Sequence, residues 1–363
     1  MAMQHKIFSI TFALGVLVPL AAPADVTVYG RAQVEIGFVK DASERSDGLS
    51  GDGSKVDGTN MVDAAQGRLG VKAAEDLSDA LLTFAVMEFK VDTADGDAGG
   101  KCSTQSDGAA GSEHTHDCDS SGVALTPRET NLGIQGRFGT VEFGRIKSPY
   151  KYTGGVRYDP FVATTLEARG NGGMSPGSFG HSGFLIDSIG YRSASVGGLI
   201  VWFTYNPETE ANSSKCPKCA TNGDALSYAV SYGTKDWEAF YAGNNDSDDE
   251  GLGEKSYRAA KYGGMIDVDG HKFKIQYETI DNKGVDDTYS FLGYEGRNQN
   301  NLWVIQLGKF EPGTPSGLAK PKSLDYASLG MIHRASKETR IIAGYRRTTE
   351  QESVFSLGMR KDF

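Results

Sequence analysis

DVTVYGRAQVEIGFV, residues 25–39, decides how the whole chain is read. Val26, Val28, Gly30, Ala32, Val34, Ile36 and Phe38 recur at every second position, with Thr27, Tyr29, Arg31, Gln33 and Glu35 between them. A period of two puts these sets on opposite faces of a β-strand. In a soluble sandwich the apolar face meets a core. In a membrane barrel the pattern is inverted, apolar towards lipid and polar towards a wet interior. Alternation alone does not separate the two, and length separates them only modestly: soluble strands usually run about 5–6 residues, whereas a membrane-crossing strand needs roughly 9–11.

The theme recurs downstream. Phe273, Ile275 and Tyr277 alternate with Lys272, Lys274, Gln276 and Glu278; Leu226, Tyr228, Val230 and Tyr232 share one face, as do Trp303, Ile305 and Leu307. Around 81–91 both faces are largely apolar, and the register there is open. The connections alternate too. Short turns are expected at 75–79, 138–140, 195–198, 233–236, 267–270, 298–301 and 336–338. Longer polar links are expected at 40–63, 93–128, 148–186, 207–224, 246–255, 282–286, 312–323 and 348–352. Seven short and eight long links join sixteen strands. An even count puts both termini on one side with the short turns, as in outer-membrane barrels.

Residues 1–24 differ from the rest. Lys6 precedes the apolar run 7–20, and Ala22-Pro23-Ala24 follows with small residues at the cleavage spacing. That is the layout of a secretory signal peptide, which leaves 25–363 as one barrel domain. The run is short for a helix crossing roughly 30 Å of hydrocarbon, and no other stretch is long and apolar enough, so a helical transporter is excluded. The 47 Gly, 16 Tyr and 17 Phe suit an all-β chain with many turns. A formal charge of −10 gives no basic nucleic-acid surface.

In family order along the chain, four stretches resemble the trimeric Gram-negative general-diffusion porins: VTVYGRAQ (26–33), GRLGVKAAEDLSDAL (67–81), RETNLGIQGRFGTVEFGR (128–145), and the end from HRASKETRIIAGY (333–345) to SLGMRKDF (356–363). The resemblance implies an all-β, 16-stranded antiparallel transmembrane β-barrel with an inward-folded third long loop, here 148–186. It also implies a homotrimer in the outer membrane among lipid and lipopolysaccharide, passing small hydrophilic solutes. Terminal Phe363, on one face with Phe355, Leu357 and Met359, is similar to the signal read by the barrel-assembly machinery. Lys361 falls on that lipid-facing set, where a lysine near the interface can snorkel.

The family places basic side chains on the wall opposite acids on the third loop. The matching positions are Arg31, Arg68 and Arg128, with Asp159 and Glu167 as the loop acids; Phe184 stands where some relatives carry a further base. Arg31 and Arg68 also fall on the polar face by alternation alone. Arg145, Arg157, Arg169 and Arg192 rank lower. Such opposed charges orient dipolar solutes in a narrow passage. The inner basic ladder favours anions, while the acidic stretches 41–57 and 244–250 concentrate cations at the mouth; the expected balance is a modest cation preference. Two alternatives stand beside the general pore: a solute-specific channel with a binding site at the constriction, and a secreted soluble β-rich binding protein.

Cys102 and Cys118 lie in the second long link, and Cys216 and Cys219 form CPKC in the fourth. In an exported protein these are expected as Cys102–Cys118 and Cys216–Cys219 disulfides, although four cysteines allow three pairings. CPKC resembles half a zinc knuckle that His114 and His116 beside Cys118 could complete, but one CxxC without its partner is too little to expect a metal. No cofactor is expected. No GxSxG, HExxH, Walker or dinucleotide motif occurs, and the histidines are scattered, so no enzyme is expected.

Overall fold

The computed structural model describes residues 25–42, 56–62, 67–91, 93–94, 126–177, 183–207, 224–248, 255–282, 284–314, 317, 319–349 and 352–363. The leader expected at 1–24, the four cysteines with both expected pairings, His114, His116 and His181 lie outside these residues.

Seventeen strand segments form one antiparallel sheet. They are β1 (Asp25–Ala42), β2 (Val56–Val62), β3 (Gly67–Ser78), β4 (Leu81–Val91), β5 (Thr126–Gly136) and β6 (Gly139–Lys147). After the third long link come β7 (Phe184–Ser193), β8 (Leu199–Asn206), β9 (Ala225–Gly233), β10 (Trp237–Asp248), β11 (Lys255–Val268) and β12 (His271–Asn282). β13 (Asp286–Asn298), β14 (Asn301–Glu311), β15 (Leu324–Arg334), β16 (Thr339–Thr348) and β17 (Ser353–Asp362) complete the set. β2 and β3 both pair with β1, at Glu35–Ala42 and Asp25–Arg31, and are two halves of one stave. β17 pairs back onto β1 from Arg31 to Lys40. The result is a closed barrel of sixteen strands with no free edge, the condition for a sheet to span lipid. Among the described residues no helix is long and apolar enough to cross a membrane.

The first hairpin reaches further than expected. Pairing continues to Ala42 on β1 and resumes at Val56 on β2, inside the stretch read as link 40–63. Val56, Gly58, Asn60 and Val62 carry no clear alternation, so the strand was not visible there. The other turns fall within a few residues of their expected places.

The inversion read from 25–39 holds around the barrel. Val28 is 61% exposed and Phe38 48%, whereas Gln33 and Glu35 are almost fully buried. Ile275, Leu292, Trp303, Leu307, Leu357 and Met359 are exposed in the same way, while Gln276, Glu278 and Gln306 are buried on the interior face. An apolar exterior over a polar interior is the signature of a strand wall bathed in lipid. Tyr232, Trp237, Phe273, Tyr294 and Trp303 sit beside the short turns, with Tyr232 and Trp237 in edge contact at 5.4 Å and Phe273 and Tyr294 at 5.3 Å. The amphipathic rings of Tyr and Trp favour that interfacial level. Register along β4 is now clear: Glu88 is buried and Met87 exposed, so Leu82, Phe84 and Val86 line the interior. Phe363 closes the seam. Its backbone exchanges hydrogen bonds with Gly30, 2.9 and 3.1 Å, and its ring lies where a Cβ on residue 30 would stand.

Candidate functional site

The segment 148–177 leaves β6 and packs against the interior face of the barrel. Ser148 caps α1 (Pro149–Tyr152), with Pro at the first helical position, and Gly154 then turns the chain at φ +60 into α2 (Gly155–Tyr158). A Cβ on residue 154 would meet Gln276 Oε1 at 2.2 Å, so only glycine fits so close to the wall.

Polar wall groups hold the segment in order. Ser148 and the Tyr150 amide bond Ser227 at 2.9 Å, and the Tyr150 hydroxyl donates to Glu278 at 2.8 Å. The Gly155 amide donates to Gln276 at 2.7 Å, and Ser175 donates to Glu278 through both its amide and its hydroxyl. Further along, Thr165 donates twice to Glu35 at 3.0 Å, and Gln33 donates to the Ala163 carbonyl. The Tyr326 hydroxyl donates to the Leu166 carbonyl. Apolar side chains follow the same wall. Tyr150 packs on Ala229, Ala242, Ala259 and Ile280; Tyr158 and Met174 on Phe240, Phe291 and Tyr326; Phe161 and Leu166 on Val304 and Ile342. The strands yield space for them with glycine. A Cβ at residue 308, 330 or 344 would collide with Gly173, Phe161 or Leu166.

The opposite wall is basic. Arg128 Nε bonds Glu88 Oε1 at 2.8 Å, and Arg68 approaches the same oxygen at 3.8 Å. Arg31 and Arg360 share Asp362 Oδ1 at 3.0 and 2.9 Å. Two carboxylates therefore gather four guanidinium groups into a row. Between this row and the segment 148–177 lies a cavity of about 510 Å³. Its wall contributes Arg31, Arg68, Lys90, Arg128, Lys147 and Arg360; the segment contributes Lys151 and Arg169. Among the described residues the carboxylates in the lining are Glu88 and Glu167.

Four of the five residues expected at a constriction, Arg31, Arg68, Arg128 and Glu167, thus share one cavity. Asp159 does not line it. It is 2% exposed and accepts from the amides of Phe161 and Ala168 and from Gln306 at 2.7–2.9 Å. Burial, then the neighbouring Glu167 charge, pushes its carboxyl up to about 6. Lys151 moves the other way: burial, then the Arg169 charge, lowers its ammonium to about 7. Burial, then Glu278, raises the Tyr150 phenol well above its ordinary value. Arg145 donates to the Arg128 carbonyl and sits over the Phe184 ring, so Phe184 serves as a shelf for guanidinium groups. Sequence reasoning passed over Arg360, although Phe355, Leu357 and Met359 already placed Ser356, Gly358 and Arg360 on the inner face. Lys151 lies in a loop without period and carried no signal. Among the described residues no cluster of metal-ligating side chains occurs.

These features agree with what the chain is similar to. The family model for Gram-negative porin matches residues 11–351. The major outer membrane protein P.IB of Neisseria meningitidis serogroup A is 28% identical over 158 residues, 42% of this chain and 37% of that protein's length. Two solved structures share the fold. An anion-selective porin from Comamonas acidovorans has a TM-score of 0.70 at 15% identity, covering 94% of this chain and 100% of that one. In-vitro folded OmpT of Vibrio cholerae, in trimer form, has a TM-score of 0.62 at 13% identity, covering 94% and 100%. The chain belongs to the Gram-negative porin family, and its place is the outer membrane. The fold is the one these solved porins share.

Proposed function

We propose that this protein is a passive, water-filled diffusion channel whose narrowest passage favours small hydrophilic anions. The carrying observation is the cavity between the basic row and the segment 148–177, where eight cationic side chains face two carboxylates. Even with Asp362 and Glu129, which pair with Arg31 and Lys147, counted in, cations remain in excess. Fixed charge in a narrow, partly desolvated passage acts on an ion more strongly than charge at a wide mouth, which salt screens over roughly 10 Å. The inner lining therefore supports the reading opposite to the cation preference drawn from the outer acidic stretches. In this reading Arg31, Arg68, Arg128 and Glu167 form the constriction, Lys90, Lys147, Lys151, Arg169 and Arg360 complete it, and Asp159 fastens the loop instead of facing solute.

The same reading makes 148–186 the inward-folded third loop and residues 1–24 a cleaved leader. It takes the protein as a homotrimer, in line with the trimer form of OmpT, and the exposed ring of Phe363 as the handle for barrel assembly. Planar-bilayer recording in a potassium chloride gradient tests it. Discrete conductance steps with a reversal potential displaced towards chloride are expected. Reversal towards potassium would overturn the anion preference, and absence of steps would remove the pore.

A further inference from the structure

We propose that the channel holds a second solute site, on the short-turn side of the loop, that takes small aromatic carboxylates. This goes beyond the diffusion reading and can fail without it. The site is a cavity of about 620 Å³ between α1–α2 and the interior faces of β7 to β10, within the size range of small-molecule sites.

Its origin lies in β9. The inward positions of ALSYAVSYG are Ala225, Ser227, Ala229, Ser231 and Gly233, all small. Where the loop covers them, at Ser227 and Ala229, Tyr150 fills the space. Beside Ser231 and Gly233 the loop's Tyr152, Thr153 and Arg157 stand off the wall, and the space left open becomes the cavity. Its rim is aromatic and basic. Trp202 stands directly across from Arg192 on β7 and from Ala229 on β9, and Ile200 from Ser231. The Arg192 guanidinium lies 5.5 Å from the centre of the Trp202 ring. Arg192 is itself exposed, so its fork is open to solute.

The lining selects the ligand class. Among the described residues the lining carries one carboxylate, Glu238, and it is engaged by Arg157 and by the Tyr158 hydroxyl. Lys147, Arg157 and Arg192 thus outnumber the anionic groups of the lining, which disfavours a cation and favours an anion over a neutral solute. A carboxylate suits the planar fork of Arg192. An acid without a ring would leave Trp202 and Ile200 against water, whereas an arene would cover them. The site accordingly assigns the carboxylate to Arg192 and the ring to the hollow over Ser231.

The chain supplies its own probe. Of its three tryptophans, Trp237 and Trp303 are on the lipid face and Trp202 alone faces inward. In the detergent-extracted full chain carrying Trp237→Phe and Trp303→Phe, emission then reports Trp202. Benzoate is expected to change it along a saturating curve, with a midpoint on the order of 1 mM for so small a ligand. Arg192→Gln should raise that midpoint about tenfold or more, the usual loss for a charged hydrogen bond. Acetate should need about tenfold more than benzoate. Ser231→Leu, which fills the hollow and leaves every charge in place, should abolish the response, and its unheated gel mobility checks that the barrel has formed. A response linear in benzoate, or unchanged in both variants, would overturn the site. Equal midpoints for acetate and benzoate would overturn the aromatic class.

Discussion

Two walls of one lumen are built on opposite principles. On β9 to β16 the inward positions that meet the loop are small or glycine, apolar, or polar groups bonded to it, among them Ser227, Gln276, Glu278, Gln306, Gly330, Gly344, Phe240 and Ile342. Across the lumen Gln33 and Glu35 of β1 also hold the loop, but beside them on β1, β3, β5 and β17 long charged side chains, Arg31, Arg68, Arg128 and Arg360, pair with Glu88 and Asp362 and line the cavity. The first wall is made to be covered and the second to be met by solute. A loop can rest on a wall only where buried donors and acceptors are matched, because an unmatched one costs about 1–3 kcal/mol. A solute can be steered only by charge that stays accessible.

The comparison is broken most severely at Glu278. Its carboxylate receives Tyr150, Ser175 and Gln276 and lies near the buried Lys261. Removing one partner from such a buried charged cluster costs about 3–5 kcal/mol. Glu278→Ala should therefore release the start of the loop, and limited proteolysis should cut within 148–177 where the parent resists. A resistant loop in that variant would show that the apolar contacts alone hold it. The glycine seats are next. Gly344→Leu would drive a side chain into Leu166, an overpacking cost of about 1–3 kcal/mol. Single-channel conductance should rise on the order of twofold as the loop lifts from a lumen otherwise wide enough for water. Unchanged conductance would mean that the loop does not set the bore.

The second wall is tested by charge rather than by space. Arg68→Glu with Arg128→Glu turns the two guanidinium groups around Glu88 into a carboxylate cluster. The chloride-to-potassium permeability ratio should fall about tenfold, a change of order 1.4 kcal/mol. Loop proteolysis should stay as in the parent, because neither residue bonds the loop. If both readouts moved together, the two walls would not be separate devices.

Alternation carried the fold as far as lipid and water differ. It gave the exposed faces of β1, β12 and β14 and the inward placing of Arg31 and Arg68. It went silent on β4, because there the inner wall is itself apolar: Phe84 lies over Gly133 with the Lys72 ammonium 5.9 Å from its ring. It could not assign the loop, where no period separates a solvated side chain from a buried one. Asp159 and Glu167 look alike as loop acids. Only the approach of three donors to Asp159, from parts of the chain up to 147 residues apart, makes one a fastener and leaves the other facing the cavity. The glycine seats were equally mute, since a strand glycine does not say what rests on it.

The smallest expected effect joins the two walls, because Lys151 belongs to the loop yet faces the basic row. Burial, then Arg169, with Arg128 and Lys90 adding to it against the pull of Glu167, brings its ammonium to about 7. The sign follows from the direction. A lysine lowered from its ordinary value is charged below about 7 and neutral above it, so acidification adds one positive charge to the passage. The displacement of the reversal potential towards chloride should grow as pH falls from about 8 to about 6, the window set by a midpoint near 7. Stability carries the matching sign. Between about 7 and the ordinary lysine range the unfolded chain binds the extra proton, so the seated loop gains as pH rises. Lys151→Met should flatten the pH dependence of the reversal potential and leave the remaining anion preference in place. A slope that survived the substitution would assign the titration to another group and leave Lys151 a packed part of the loop.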